Sequence, residues 1–176
     1  MKFVPTPVHG VTVVDLDIAE DERGFFARTF CQDEFTAAGI EIKPCQLNLS
    51  HNAHAFTLRG LHFQAKPHGE NKLVHCVRGR IFDVAVDLRS DSPSYRRWFG
   101  IELAPHLRRL LYVPKGCAHG FLTLEPESDV SYVMGQPFVA EAGRGVRWDD
   151  PAFGIDWPTQ PQLISSRDRS FPDFSP

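Results

Sequence analysis

At 176 residues the chain is long enough for one domain with a sizeable core, and a composition of 42% hydrophobic and 23% charged residues excludes a disordered chain. A formal net charge of −3 gives no general attraction for nucleic acid, so an anionic ligand has to be held by local Arg and Lys. There is no signal peptide and no apolar run of about 18 residues, which argues against secretion and membrane spanning. The four cysteines, Cys31, Cys45, Cys76 and Cys117, form no C-x-x-C pair and are expected as buried thiols in a reducing, cytoplasmic compartment.

In chain order, Pro5 and Pro7 break regular structure before residues 11–18, which alternate and predict a strand. Asp21-Glu22-Arg23-Gly24 is a charged turn, and the aromatic run 25–30 predicts another strand. Its rings either fill the core or form a platform for a planar ligand, with Arg23 nearby for an anion. Residues 31–38 carry one or two helical turns closed by Gly39. In 45–50 the polar side chains of Gln46, Asn48 and Ser50 fall on one face. Turned inward, that row suits a polyhydroxylated ligand; turned outward, it is an ordinary solvated face.

Residues 57–87 hold the densest chemistry: Arg59, His62, Gln64, His68, Lys72, His75 and Asp83 lie among apolar alternations. Leu61 and Phe63, then Val74 and Val77, predict two strands with one face inward. Arg78-Gly79 marks a turn, and 81–88, apolar on both sides, predicts a third strand. Charged and titratable residues on inward faces are costly unless paired, so they point to a ligand-filled cavity. A single His is more often structural than catalytic; His68, in a Pro-His-Gly turn, and His75 both have solvent-facing readings.

Further strands are predicted at 98–103, 110–113, 121–124 and 130–134, with His119 at a turn–strand junction and Tyr132 on the last strand. The tail from Gly145 is rich in Pro and Asp but holds Trp148, Phe153 and Trp157, so it is expected to pack over the body. Roughly ten short strands separated by frequent turns predict an all-β sandwich or barrel over 1–176, with a jelly roll as the form best suited to enclosing a ligand.

The segments RGLHFQ, NKLVHCVRGRIFDVAVDLRS, VPKGCAHGF, RWDDPAFGIDWP and SSRD resemble the dTDP-4-dehydrorhamnose 3,5-epimerase family over nearly the whole chain. The resemblance implies a cupin-type jelly roll, a homodimer, a 4-keto-6-deoxy nucleotide sugar as substrate, and neither metal nor other cofactor. By position it makes His62 the general base, Asp168 its hydrogen-bonded partner and Tyr132 the proton donor. Lys72 and Arg59 would stand near the C4 carbonyl and the phosphates, with His119 beside them. Arg23 and Phe26 would contact the nucleotide, often across the dimer interface; Gln46 and Asn48 match polar binding positions, and Arg167 stands where the family commonly has Lys. Arg28 occupies the place of a Glu that commonly helps read thymine, which replaces an acceptor by a donor and opens the choice of base. Val133, Pro137-Phe138 and Gly143 are further departures, and they leave inversion at C3, C5 or both open.

The implied chemistry is consistent with these residue types. A 4-keto group acidifies the hydrogens at C3 and C5; a His can remove one, an Asp behind it fixes the tautomer, and a cation beside the oxygen stabilises the enolate. Three other readings compete. A metal cupin would use His62, His75 and His119 as ligands, although the H-x-H pair such sites favour is His62-x-Gln64 here. A binding module without catalysis would have no need of the His62, Asp168 and Tyr132 combination. A 3,4-ketoisomerase would lack a Tyr donor on the opposite face.

Overall fold

The computed structural model describes residues 1–175. Among them the strands are β1 (Lys2–Pro5), β2 (Thr12–Asp15), β3 (Ile18–Asp21), β4 (Gly24–Ala27), β5 (Gln46–Asn52), β6 (Thr57–Gln64) and β7 (Lys72–Arg78). They continue as β8 (Ile81–Asp87), β9 (Trp98–Leu103), β10 (Arg109–Val113), β11 (Cys117–Thr123), β12 (Ser128–Met134), β13 (Gly143–Gly145) and β14 (Leu163–Ile164). Two short α-helices, α1 (Gln32–Ala37) and α2 (Ser166–Arg169), and two 3-10 turns at Pro105–Leu107 and Ala140–Ala142 complete the described elements.

One sheet runs β1-β2-β10-β7-β12-β5 and the other β13-β6-β11-β8-β9, with β14 added in parallel beside β6. Every other pairing is antiparallel, and β3–β4 stands apart as a hairpin. Strands distant in sequence lie side by side, β7 between β10 and β12 and β11 between β6 and β8. This is an all-β jelly roll, as the strand and turn pattern suggested, and of the cupin type that the family resemblance implied.

Three apolar layers hold it. Between the sheets, Val13, Val74, Leu111 and Val130 meet Ile81, Ala85 and Phe121, all buried. Outside the first sheet, Val14, Leu73 and Leu110 are covered by Phe35 of α1 and by Ile40 and Ile42. Outside the second, Val84 and Val86 are covered by Val146 and Phe153, with Trp157 and Phe174 packed against them. The tail therefore does pack over the body, and β8 is apolar on both sides because both of its faces are covered.

Several local expectations need correction. The single strand expected at 11–18 is two: β2 pairs with β10, and Ile18 opens the β3–β4 hairpin instead. β1 forms despite Pro5, which is its last residue and lies on a sheet edge, where a missing N–H is tolerated. The strand expected through Phe30 stops at Ala27, and Phe30 turns back onto Phe35 with ring centroids 5.0 Å apart. Leu61 packs under the tail rather than toward the space between the sheets, and Val77 is exposed. Only Cys76 and Cys117 are buried thiols; Cys45 is exposed and Cys31 half-buried.

Candidate active site

A cavity of about 700 Å³ opens between the two sheets. One wall is the first sheet, contributing Gln46, Asn48 and Ser50 from β5, Lys72 from β7, and Tyr132 from β12. The opposite wall is the second sheet, contributing Arg59 and His62 from β6 and His119 from β11. The segment around Phe138 and Arg144 and the stretch Ser165–Asp168 close the rim. The polar row of β5 thus lines the cavity; Leu47 and Leu49 between those residues are exposed, and Leu49 also borders the cavity.

Arg59 and His62 are three apart, yet both reach the cavity. The β6–β11 register shifts between His119 and Phe121, and this irregularity breaks the two-residue alternation of β6. Gly60 sits at the break with φ +130, and a Cβ there would lie 2.5 Å from the Cα of Gly120, so only glycine lets the two backbones approach this closely. His62 then stands directly across from His119 in the ladder.

Each of these histidines is backed by a carboxylate. His62 Nε2 is 2.7 Å from Asp168 Oδ1, and Asp168 Oδ2 accepts the Gly60 N–H at 3.1 Å. Ser165 caps α2 by accepting the Asp168 N–H at 3.0 Å, which fixes the carboxylate where β6 passes. Burial would raise the Asp168 carboxyl, but the hydrogen bonds from His62, Gly60 and Ser165 together hold it below its ordinary value. His119 Nε2 is 2.7 Å from Asp83 Oδ1, and both side chains are buried. Asp83 was recognisable only as a charge in an apolar strand; the alternation of β8 turns it inward beneath His119.

Tyr132 lies on the facing sheet, its ring 6.2 Å from that of His119 in an edge-on arrangement. Burial, reinforced by the Asp83 charge, pushes its phenol well above the ordinary value, so it keeps its proton across the neutral range. Lys72 is buried and paired with Glu70 at 2.8 Å. Arg59 Nε donates to Asn52 Oδ1 at 2.7 Å, leaving its guanidinium along the cavity wall.

The structure therefore brings His62, Asp168, Tyr132, Lys72, Gln46, Asn48, Arg59, His119 and Arg167 to one cavity. Arg23, Phe26 and Arg28 are elsewhere in the chain. Arg23 is at the tip of the β3–β4 hairpin, its Nε 3.1 Å from Asp21 Oδ1. Phe26 and Arg28 line a separate hollow with Ile18, Ala19 and Glu34, where Arg28 donates to Glu34 at 2.8 Å. His75 faces away from the cavity on β7, beside Ser131 of β12. Among the described residues no three His, Cys, Asp or Glu side chains converge in a ligand cluster.

Among the lining residues without an assigned role in the sequence reading are Arg144, Glu70 and Phe138, the last noted there only as a departure from the family pattern. Phe138 had a legible signal only in retrospect. Its N–H is accepted by Gln46 Oε1 and the next N–H by Gln64 Oε1, both at 2.6 Å, while Gln64 Nε2 donates to the Pro137 carbonyl at 3.1 Å. Two glutamines on different strands thus pin the backbone that carries an exposed aromatic ring.

A jelly roll whose cavity holds two His–Asp pairs, a buried Lys and a half-buried Tyr fits an isomerase of the cupin class. Within that class the comparisons are specific. The profile of the dTDP-4-dehydrorhamnose 3,5-epimerase family matches residues 5–176, and the chain belongs to this family. The dTDP-4-dehydrorhamnose 3,5-epimerase of Methanothermobacter thermautotrophicus is 42% identical over 174 residues, covering 97% of this chain and 92% of the relative. A dTDP-4-dehydrorhamnose 3-epimerase of Streptomyces niveus is 37% identical over 170 residues, with 96% and 82% covered. The crystal structure of the dTDP-4-dehydrorhamnose 3,5-epimerase of Bacillus anthracis with TDP and PPi bound aligns with a TM-score of 0.94 at 38% identity, covering 98% of this chain and 99% of that one.

Proposed function

We propose that this chain epimerises a 4-keto-6-deoxy sugar carried on thymidine diphosphate, inverting C3 and C5 by proton removal beside the ketone and return from the opposite side. The observation that carries this reading is the placement of His62 and Tyr132 on facing walls of one cavity. Asp168 engages His62 Nε2, so Nδ1 is the nitrogen left to take the proton from carbon. The bonding pair moves into the ring as the C4 oxygen becomes an enolate oxygen, and Lys72 supplies the positive charge beside it. The Tyr132 hydroxyl then gives its proton to the other face of that carbon, and solvent restores neutral His62 and protonated Tyr132. Arg59, Arg144 and Arg167 supply cationic groups for the diphosphate. Phe138, pinned and 62% exposed, is a stacking surface for the base.

The working form in this proposal is a homodimer in a reducing cytoplasm. Phe25, Phe26, Leu47 and Leu49 are 53%, 74%, 77% and 67% exposed, an apolar display that association would cover. Such a dimer lets the hairpin bearing Arg23, Phe26 and Arg28 serve the partner's cavity. The carboxylate of Glu34 beside Arg28 supplies the acceptor that Arg28 itself lacks. Among the described residues no helix is long and apolar enough to cross a membrane.

The test is proton NMR in D₂O with the thymidine-linked 4-keto-6-deoxy sugar. Deuterium uptake at both C3 and C5 with formation of the inverted sugar is expected; no uptake at either carbon overturns the reading. Uptake at one carbon alone supports a second reading, single-site epimerisation, which the 3-epimerase relative from Streptomyces niveus favours.

A further inference from the structure

The epimerase reading assigns no part to Glu70. The cavity is lined by several cationic groups that suit an anionic ligand, and a carboxylate inside it repels such a ligand. Among the described lining residues there are only two carboxylates, Asp168 and Glu70, and each is tied to one functional side chain. Asp168 holds His62. Glu70 holds Lys72 at 2.8 Å, and the two side chains are 9% and 7% exposed.

The chain fixes this pair through the residue between them. The Asn71 side chain donates to the Glu41 carbonyl at 2.6 Å and to the Tyr112 hydroxyl at 3.1 Å, on the far side of the sheet. In an extended segment neighbours alternate sides, so anchoring Asn71 outward turns both Glu70 and Lys72 toward the cavity. Lysine has a flexible four-carbon stem and loses rotamer freedom when its head is fixed. A carboxylate already bound to Nζ removes that freedom before substrate arrives, and it occupies one of three N–H donors, leaving others for a ketone oxygen.

We propose that Glu70 is a positioning residue: it holds the Lys72 ammonium at the point where the C4 oxygen gains charge, as Asp168 holds His62. This rests on the epimerase reading, and the experiment separates the two. Deuterium exchange kinetics, TDP affinity and thermal melting are measured for wild type, Glu70→Gln, Glu70→Ala, Lys72→Met and the Glu70→Gln/Lys72→Met double variant.

Glu70→Ala is expected to lower kcat by about 10²-fold, the scale on which small misplacement of a catalytic group acts, with KM and TDP affinity unchanged. Glu70→Gln, which keeps an oxygen acceptor, recovers part of that loss. In the Lys72→Met background Glu70→Gln changes kcat no further, while melting rises because an unpaired buried carboxylate is removed. Wild-type kcat in Glu70→Ala, or an equal loss from Glu70→Gln in both backgrounds, overturns the assignment, since the second pattern marks a role independent of Lys72. Wild-type protein that exchanges no substrate overturns the epimerase reading and this assignment with it; an exchanging wild type beside an unaffected Glu70→Ala removes only Glu70.

Discussion

His62 and Asp168 are 106 residues apart in the chain and 2.7 Å apart in the fold. β6 delivers the imidazole, and a four-residue helix capped by Ser165 delivers the carboxylate from the far end of the sequence. Replacing the carboxylate by an amide leaves the shape but releases the tautomer. Asp168→Asn is therefore expected to lower exchange at C3 and C5 by about 10⁴-fold, as for the equivalent change in a Ser-His-Asp triad. The same variant has a stability signature. A carboxyl held below its ordinary value contributes stability that is complete above the unfolded value, about pH 4, and is lost as pH falls through the lower folded value. Wild type should melt above Asp168→Asn at neutral pH, with the gap closing below about pH 4. A gap that persists or widens on acidification contradicts this linkage.

Tyr132 makes the second prediction. Its burial favours the protonated phenol, so it is cast as the donor and His62 as the acceptor. Tyr132→Phe should keep deuterium exchange at one or more carbons, because His62 still removes and returns a proton on its own side. Net inversion should fail, most clearly at C5. NMR of the product distinguishes exchange without inversion from turnover, and full inversion by this variant would assign the acid elsewhere.

Phe138 separates binding from chemistry. Its ring is exposed at the rim while its backbone is pinned by Gln46 and Gln64. Phe138→Ala should weaken TDP binding by about 1–3 kcal/mol, the range for one base stacked on an aromatic side chain. The exchange rate at saturating substrate should stay near that of wild type. Calorimetry with TDP and with pyrophosphate checks this: only the ligand bearing a base should lose affinity.

Much of this was legible in the sequence because the strands alternate and the motifs are dense. The stretch holding Arg59, His62 and Lys72 announced an inward polar face, and the ordered motifs implied a partner for His62 near the end of the chain. What could not be read was set by irregularity or by distance. The shift in β6 at Gly60, which turns Arg59 and His62 to one side, is a backbone event with no period. The pair Glu70–Lys72 depends on Asn71 anchoring to Glu41 and Tyr112, contacts that only the folded chain brings together. Arg23 and Phe26 were expected at the nucleotide, often across a dimer interface, and the single chain carries them on the β3–β4 hairpin, with Arg28 just after it, away from the His62 cavity.

Asp87 offers a stability test away from the site. It is fully buried at the end of β8; burial opposes its charge, but Arg89, Ser92 and Ser94 bond to it and hold its carboxyl down to about 2. Displacement from an ordinary value near 4 corresponds to about 2 kcal/mol, present above about pH 4 and lost as pH falls toward about 2. Asp87→Asn should lower the melting temperature at neutral pH and leave exchange kinetics unchanged at a temperature where the variant is folded. Equal melting of the two proteins would mean the Arg89 cluster contributes nothing net.

The hairpin makes the last prediction, because sharing a site across two copies has a readout that no single-chain role can imitate. Phe26 is 74% exposed at a place separate from the His62 cavity, and Leu47 and Leu49 are exposed on the edge strand β5. In a symmetric dimer each cavity would then take His62 from one copy and Phe26 from the other. His62→Ala removes exchange outright, and Phe26→Ala should weaken substrate binding. A mixed dimer of the two variants contains one doubly impaired cavity and one intact one. Mixing the proteins under conditions that let subunits exchange should therefore restore high-affinity turnover that neither variant shows alone. If the hairpin serves its own chain, both cavities of the mixed dimer remain impaired and mixing restores nothing. Leu47→Lys, which lies outside the cavity lining, should abolish the restoration by separating the subunits, which light scattering reads directly as a halved mass.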